Sequence, residues 1–115
     1  MLIELLTNKY PGMRLWLSQR LTALIMVTYI IGLVSILAII QPHNFTIWHA
    51  IVSSIIFKLT TFLFFLSLSF HAWLGVRDVM RDYIFNVILR NKMQIVVDIL
   101  LMAYFVWAGI ILWNI

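Results

Sequence analysis

LTALIMVTYIIGLVSILAII, residues 21–40, is a run of twenty residues without a charge. As a helix it is about 30 Å long, which matches the hydrocarbon core of a bilayer. The run exceeds the apolar core of about 7–15 residues found in cleaved signals, and no small-x-small site follows it. It is therefore expected to stay in the protein as a membrane span. Gln41-Pro42-His43-Asn44 ends it, as proline among polar residues should. Two further apolar runs follow, Ile47–Val76 and Gln94–Trp113. The second span, about 30 residues and about 45 Å as a helix, must tilt or protrude at one end. The expected fold class is an all-α membrane protein of three transmembrane helices. They form one domain over residues 1–115, with no room for a soluble domain and no internal repeat.

Composition agrees. The chain is 64% hydrophobic and 10% charged, with a mean hydropathy of +1.07, whereas soluble domains carry about 25% charged residues. A soluble domain of this size buries only about 60–70% of its surface, too little to hide so much apolar area. There are no cysteines, which excludes disulfides, thiolate metal sites and cysteine catalysis. The net charge of +4 sits beside the spans, so it marks a membrane face rather than a nucleic-acid surface. Lys9, Arg14 and Arg20 precede the first span, and Arg77, Arg81, Arg90 and Lys92 lie between the second and third. The loop over 41–46 has no lysine or arginine. The positive-inside rule then places the N-terminus in the cytoplasm and the C-terminus in the periplasm. Trp16, Trp48, Trp73, Trp107 and Trp113 fall mostly near span ends, as interfacial aromatics do.

The polar residues within the spans carry the functional questions. In FHAWLGVRDVMRDY, residues 70–83, His71 sits in an apolar run six residues before Arg77. Ser67, His71 and Gly75 share one helix face, and small residues there allow close approach of a helix or a flat cofactor. Three roles are open for His71: a hydrogen bond across a helix interface, an axial ligand of haem iron, or a proton relay. His49 is 22 residues away, about 33 Å if the helix is continuous, and His43 is farther. A haem with two histidine ligands would therefore need the second from another chain. Arg20 either anchors the first span or pairs with carboxylates such as haem propionates. Asp82 and Tyr83 are either a solvated loop or a hydrogen-bonding pair for a quinone carbonyl. Lys58 and Asp98 are the other charges within spans; Asp98 has Arg20, Arg90 or the cofactor region as candidate neighbours. Polar groups inside a membrane usually face a bundle interior or a partner, so the chain is expected to be one subunit of a larger assembly.

Together these residues resemble a known family. His71-Ala72-Trp73-Leu74-Gly75, followed by Asp82-Tyr83, with Ser18-x-Arg20 opening the first span, is similar to the hydrophobic membrane-anchor subunits of bacterial succinate dehydrogenase, the D subunits of respiratory complex II. The resemblance covers nearly the whole chain. It implies an anchor without catalysis of its own, in the bacterial inner membrane, serving electron transport and the tricarboxylic acid cycle. His71 would be one axial ligand of haem b, with the other from the companion C subunit. Arg20 would lie near the haem propionates, and Arg14 is a further candidate there. Tyr83 would hydrogen-bond ubiquinone with Asp82 beside it. The implied partners are the C, iron–sulfur and flavoprotein subunits, with a trimer of heterotetramers as the implied assembly. A fumarate reductase anchor is the nearest rival. A small transport or assembly subunit without haem, using Lys58, His71 and Asp98 as an ion path, is the rival from another class.

Overall fold

A helix stops where its backbone is capped, not where its hydrophobicity fades, and the caps set the architecture here. The computed structural model describes residues 12–115. Four helices follow one another: α1 (Met13–Ile40), α2 (Phe45–Val52), α3 (Ile55–Tyr83) and α4 (Val87–Trp113). Gly12 opens α1 at a φ of 87°, a conformation glycine adopts freely. Gln41 closes it in the left-handed region, with its N–H on the Leu37 carbonyl. Asn44 caps α2 by accepting from Ile47 N, Ser54 caps α3 by accepting from Phe57 N, and Asn86 caps α4 by accepting from Ile88 N and Leu89 N.

Two expectations change. The run Ile47–Val76 is not one helix, because the chain breaks at Ser53-Ser54. Ser53 ends α2 and the Ser54 hydroxyl starts α3, so two short polar side chains offer the backbone an exit inside an apolar stretch. The segment between the second and third spans is also mostly helix: α3 runs to Tyr83 and α4 begins at Val87, which leaves only Ile84, Phe85 and Asn86 between them. Arg77, Arg81, Asp82 and Tyr83 therefore stand on the last turns of α3. Likewise α1 begins eight residues before Leu21.

Three helices are long and apolar enough to cross a membrane: α1, α3 and α4, of 28, 29 and 27 residues. α2, at about 12 Å, is too short. The three long helices form a row, with α3 in the middle. α1 and α4 each pack along α3 and not on one another. Among the described residues only Thr61, Ser67, Leu74, Met80 and Leu112 are buried, and four of these five lie on α3. Large apolar residues such as Leu24, Ile39, Ile56 and Ile99 are exposed on every long helix, as expected where the solvent is lipid.

α1 and α3 run antiparallel, joined by polar contacts. Tyr29 OH and Thr61 Oγ1 are 2.6 Å apart, and the Tyr29 ring stacks on Phe64 at 4.6 Å. Lower along the seam, Thr22 meets His71, and Gln19 meets Gly75. The α3–α4 seam is aromatic: Phe62 packs on Phe105 at 5.0 Å and on Trp113 at 5.6 Å. All the Lys and Arg residues among 12–115 except Lys58 fall at one end of the row, where α1 begins, α3 ends and α4 begins. Lys9 lies outside the described residues.

Candidate functional site

The α1–α3 seam settles what His71 touches. Its Nδ1 lies 3.2 Å from Thr22 Oγ1. The Thr22 hydroxyl also lies 2.9 Å from the Ser18 carbonyl and 3.0 Å from the Gln19 carbonyl. A threonine hydroxyl has one proton to donate, and a carbonyl can only accept. With that proton directed at the helix carbonyls, Thr22 Oγ1 accepts from His71, and Nδ1 carries the hydrogen. Nε2 is then the bare nitrogen. It has no hydrogen-bond partner among the described residues.

This is the arrangement a metal-ligating histidine needs, because a hydrogen bond at one ring nitrogen fixes the tautomer and aim of the other. His71 is half-buried on the middle helix, so its ring is held yet reachable. No group of three or more His, Asp or Glu side chains gathers among the described residues. His71 is thus suited to a prosthetic group that asks one ligand of this chain, as haem does. The other histidines do not help. α3 alone places His71 about 24 Å from Ile55, and α2 is about 12 Å long. His49 and His43 lie beyond that end, so the geometric exclusion survives the break in the helix.

One turn further along, Gln19 lies against Gly75. A Cβ on Gly75 would stand 3.6 Å from Gln19 Nε2, an ordinary contact, so the glycine leaves a shallow cradle and not a tight one. Gln19 Oε1 is buried without a partner, an orphan polar atom one turn from the histidine. Sequence alone pointed to neither Thr22 nor Gln19. Each is 49 or more residues from its neighbour, and a lone threonine in an apolar run is the commonest kind of bland residue in a membrane helix.

The other candidates do not converge on His71. Arg20 is exposed, and its guanidinium lies 5.5 Å from the centre of the Trp16 ring. Arg14 is exposed one turn and a half earlier on α1. Arg77 is held in the same way over Trp73, at 5.5 Å. Asp82 and Tyr83 are both exposed at the end of α3, and Tyr83 is 77% so. Tyr83 is twelve residues past His71, about 18 Å along the helix and about 120° around it. Histidine and tyrosine therefore mark two places. Asp98 meets neither Arg20 nor Arg90; its Oδ1 accepts from Gln94 Nε2 at 2.9 Å. It lines a cleft between α3 and α4 while His71 meets Thr22 of α1, so the two stand at different faces of α3.

A row of three helices long and apolar enough to cross a membrane, with a half-buried histidine on its middle member, defines a multi-pass membrane protein. Comparison with known proteins makes this specific. The model of the succinate dehydrogenase/fumarate reductase transmembrane subunit family matches residues 4–110. A succinate dehydrogenase hydrophobic membrane anchor subunit from Coxiella burnetii (strain RSA 493 / Nine Mile phase I) is 36% identical over 102 residues, covering 89% of each chain. The chain belongs to the succinate dehydrogenase/fumarate reductase transmembrane subunit family.

Proposed function

We propose that the chain anchors a succinate dehydrogenase in the inner membrane, holds one side of a haem b through His71 Nε2, and contributes Tyr83 and Asp82 to a ubiquinone site. The observation that carries the haem reading is the Thr22–His71 contact, which leaves Nε2 bare on a half-buried ring. When bound, haem supplies a one-electron redox centre. This chain's part is to fix the imidazole's tautomer through Thr22 and to present guanidinium groups at Arg20 and Arg14 for propionates. The second axial ligand comes from the companion C subunit, since no other histidine here reaches.

The quinone role rests on chemistry and position. The Tyr83 hydroxyl donates to a quinone carbonyl, and Asp82 beside it accepts or relays protons. Both stand at the basic end of the row, taken as the cytoplasmic end by the positive-inside rule. Water and the electron-supplying subunits meet there, so protons and electrons arrive at one place. Tyr83 is so exposed that the walls of the pocket must come from partners, namely the C and iron–sulfur subunits, with the flavoprotein docked behind. The chain has no catalysis of its own; the enzyme is the complex, assembled as a trimer of heterotetramers. The relative named above favours succinate dehydrogenase over fumarate reductase.

The test is a dithionite-reduced minus oxidised spectrum of the complex purified in mild detergent, for wild type and His71→Ala. A b-type signal that the substitution abolishes or shifts supports the haem reading. An intact wild-type complex without that signal refutes it. Tyr83→Phe should raise the KM for quinone and leave the haem spectrum alone; an unchanged KM removes Tyr83 from the site.

A further inference from the structure

Asp98 is a carboxyl in a membrane-crossing helix, six residues or about 9 Å past Lys92 on the side of the apolar run. It stands eleven residues into α4, followed by the apolar run Ile99–Leu101. Gln94 donates to Oδ1, and Oδ2 has no hydrogen-bond partner among the described residues. The side chain is exposed on the wall of a cleft of about 300 Å³ between α3 and α4, shared with Ser69, Trp73, Leu101 and Phe105. Trp73 fixes the depth. It is two residues past His71, so the cleft lies level with the histidine but about 200° around α3.

A carboxyl at this depth is costly unless a donor meets it. Among the described residues, Gln94 is the one hydrogen-bond partner of Asp98, and no lysine or arginine pairs with it. Arg90 is eight residues back on α4, about 12 Å away along the axis. Lys58 is fifteen residues from Trp73, about 22 Å up α3. Arg77 lies over the Trp73 ring beside the cleft but neither lines it nor bonds Asp98, and Arg20 is on α1, which does not pack on α4. A lipid tail would fill the cleft but bring nothing to Oδ2. A helix carrying an N–H donor would do both.

We infer that Asp98, braced by Gln94, is a docking point for a transmembrane helix of a partner subunit that presents a lysine or arginine at this depth. The inference rests on the chain being a subunit of a larger assembly, and on nothing about haem or quinone.

The experiment uses the whole complex. Asp98→Leu should lower by about tenfold the share of this chain that stays with its partners through a detergent step wild type survives, because the partner's cation is left unpaired. Asp98→Asn, which keeps an acceptor and the Gln94 contact, should retain most of it. A benzophenone amino acid in place of Met102, on the same cleft, should cross-link to a partner-subunit peptide that contains lysine or arginine. Retention of Asp98→Leu equal to or above wild type overturns the inference, and so do cross-links to lipid alone. If wild type itself purifies without partners, the subunit reading falls too. If the wild-type complex forms, keeps its haem spectrum and is indifferent to Asp98→Leu, the docking inference alone falls.

Discussion

Thr22→Val removes one oxygen from the His71 site and little else. Valine keeps the β-branch and nearly the volume of threonine, so the seam keeps its shape. The Ser18 and Gln19 carbonyls lose a second donor but remain within the ladder of α1. What disappears is the acceptor 3.2 Å from Nδ1. A neutral hydrogen bond of this kind contributes about 0.5–1.5 kcal/mol, and loss of the partner that orients a metal-bound histidine costs about 10–100-fold in metal affinity. Haem dissociation from the complex should therefore quicken between about twofold and about a hundredfold. The assay is transfer of haem from the purified complex to excess apomyoglobin, followed by absorbance, with the midpoint potential measured on the same samples. Thr22→Ser restores the hydroxyl and should restore both readouts, which a merely structural role for the methyl group would not do. Wild-type rates and potential in Thr22→Val would refute the tautomer assignment, and with it the claim that Nε2 is the nitrogen offered to iron.

Other expectations follow from the seams and caps. Tyr29→Phe keeps the stack on Phe64 but strips the 2.6 Å bond from buried Thr61, and should cost about 1 kcal/mol, read as a lower midpoint of unfolding in mixed micelles. Asn86→Ala removes the acceptor for Ile88 N and Leu89 N and should cost about 1 kcal/mol, seen as faster hydrogen exchange confined to the first turn of α4. Gly75→Ala should be tolerated in this chain, because its Cβ would meet Gln19 at ordinary contact distance, whereas Gly75→Leu should weaken the α1–α3 pairing in the same unfolding assay.

The spans were legible because lipid imposes a simple demand: about twenty apolar residues, with cations gathered at one end. Leu21–Ile40 and Gln94–Trp113 each lie inside a single helix. Their true starts at Met13 and Val87 were not legible, since a helix can continue through Arg14, Arg20, Arg90 and Lys92 once it leaves the apolar layer. The break at Ser53-Ser54 was hidden in an apolar run, though a serine pair is a recognisable cap signal. His71 stood out as an imidazole six residues before Arg77 in an otherwise apolar run, and the break at Ser53-Ser54 leaves it the one histidine of α3. Thr22 did not, because no periodicity links residues 49 apart. The Gln94–Asp98 pair was within reach, since four residues is one helix turn.

The order of the row bears on how the chain is made. Both side-chain hydrogen bonds that cross between helices among the described residues join α1 to α3. α1 leaves the ribosome first, carrying Gln19, Thr22 and Tyr29 into the bilayer before His71, Gly75 and Thr61 have been synthesised. For that interval the Tyr29 hydroxyl lacks its Thr61 partner, while the Thr22 hydroxyl is already bonded to the Ser18 and Gln19 carbonyls of its own helix. Arrival of α3 supplies Thr61 to Tyr29 and His71 to Thr22, and leaves Gln19 Oε1 without a partner among the described residues. α4 adds aromatic packing and no further side-chain hydrogen bond between helices among the described residues, so the polar part of the assembly is complete once α1 and α3 have paired.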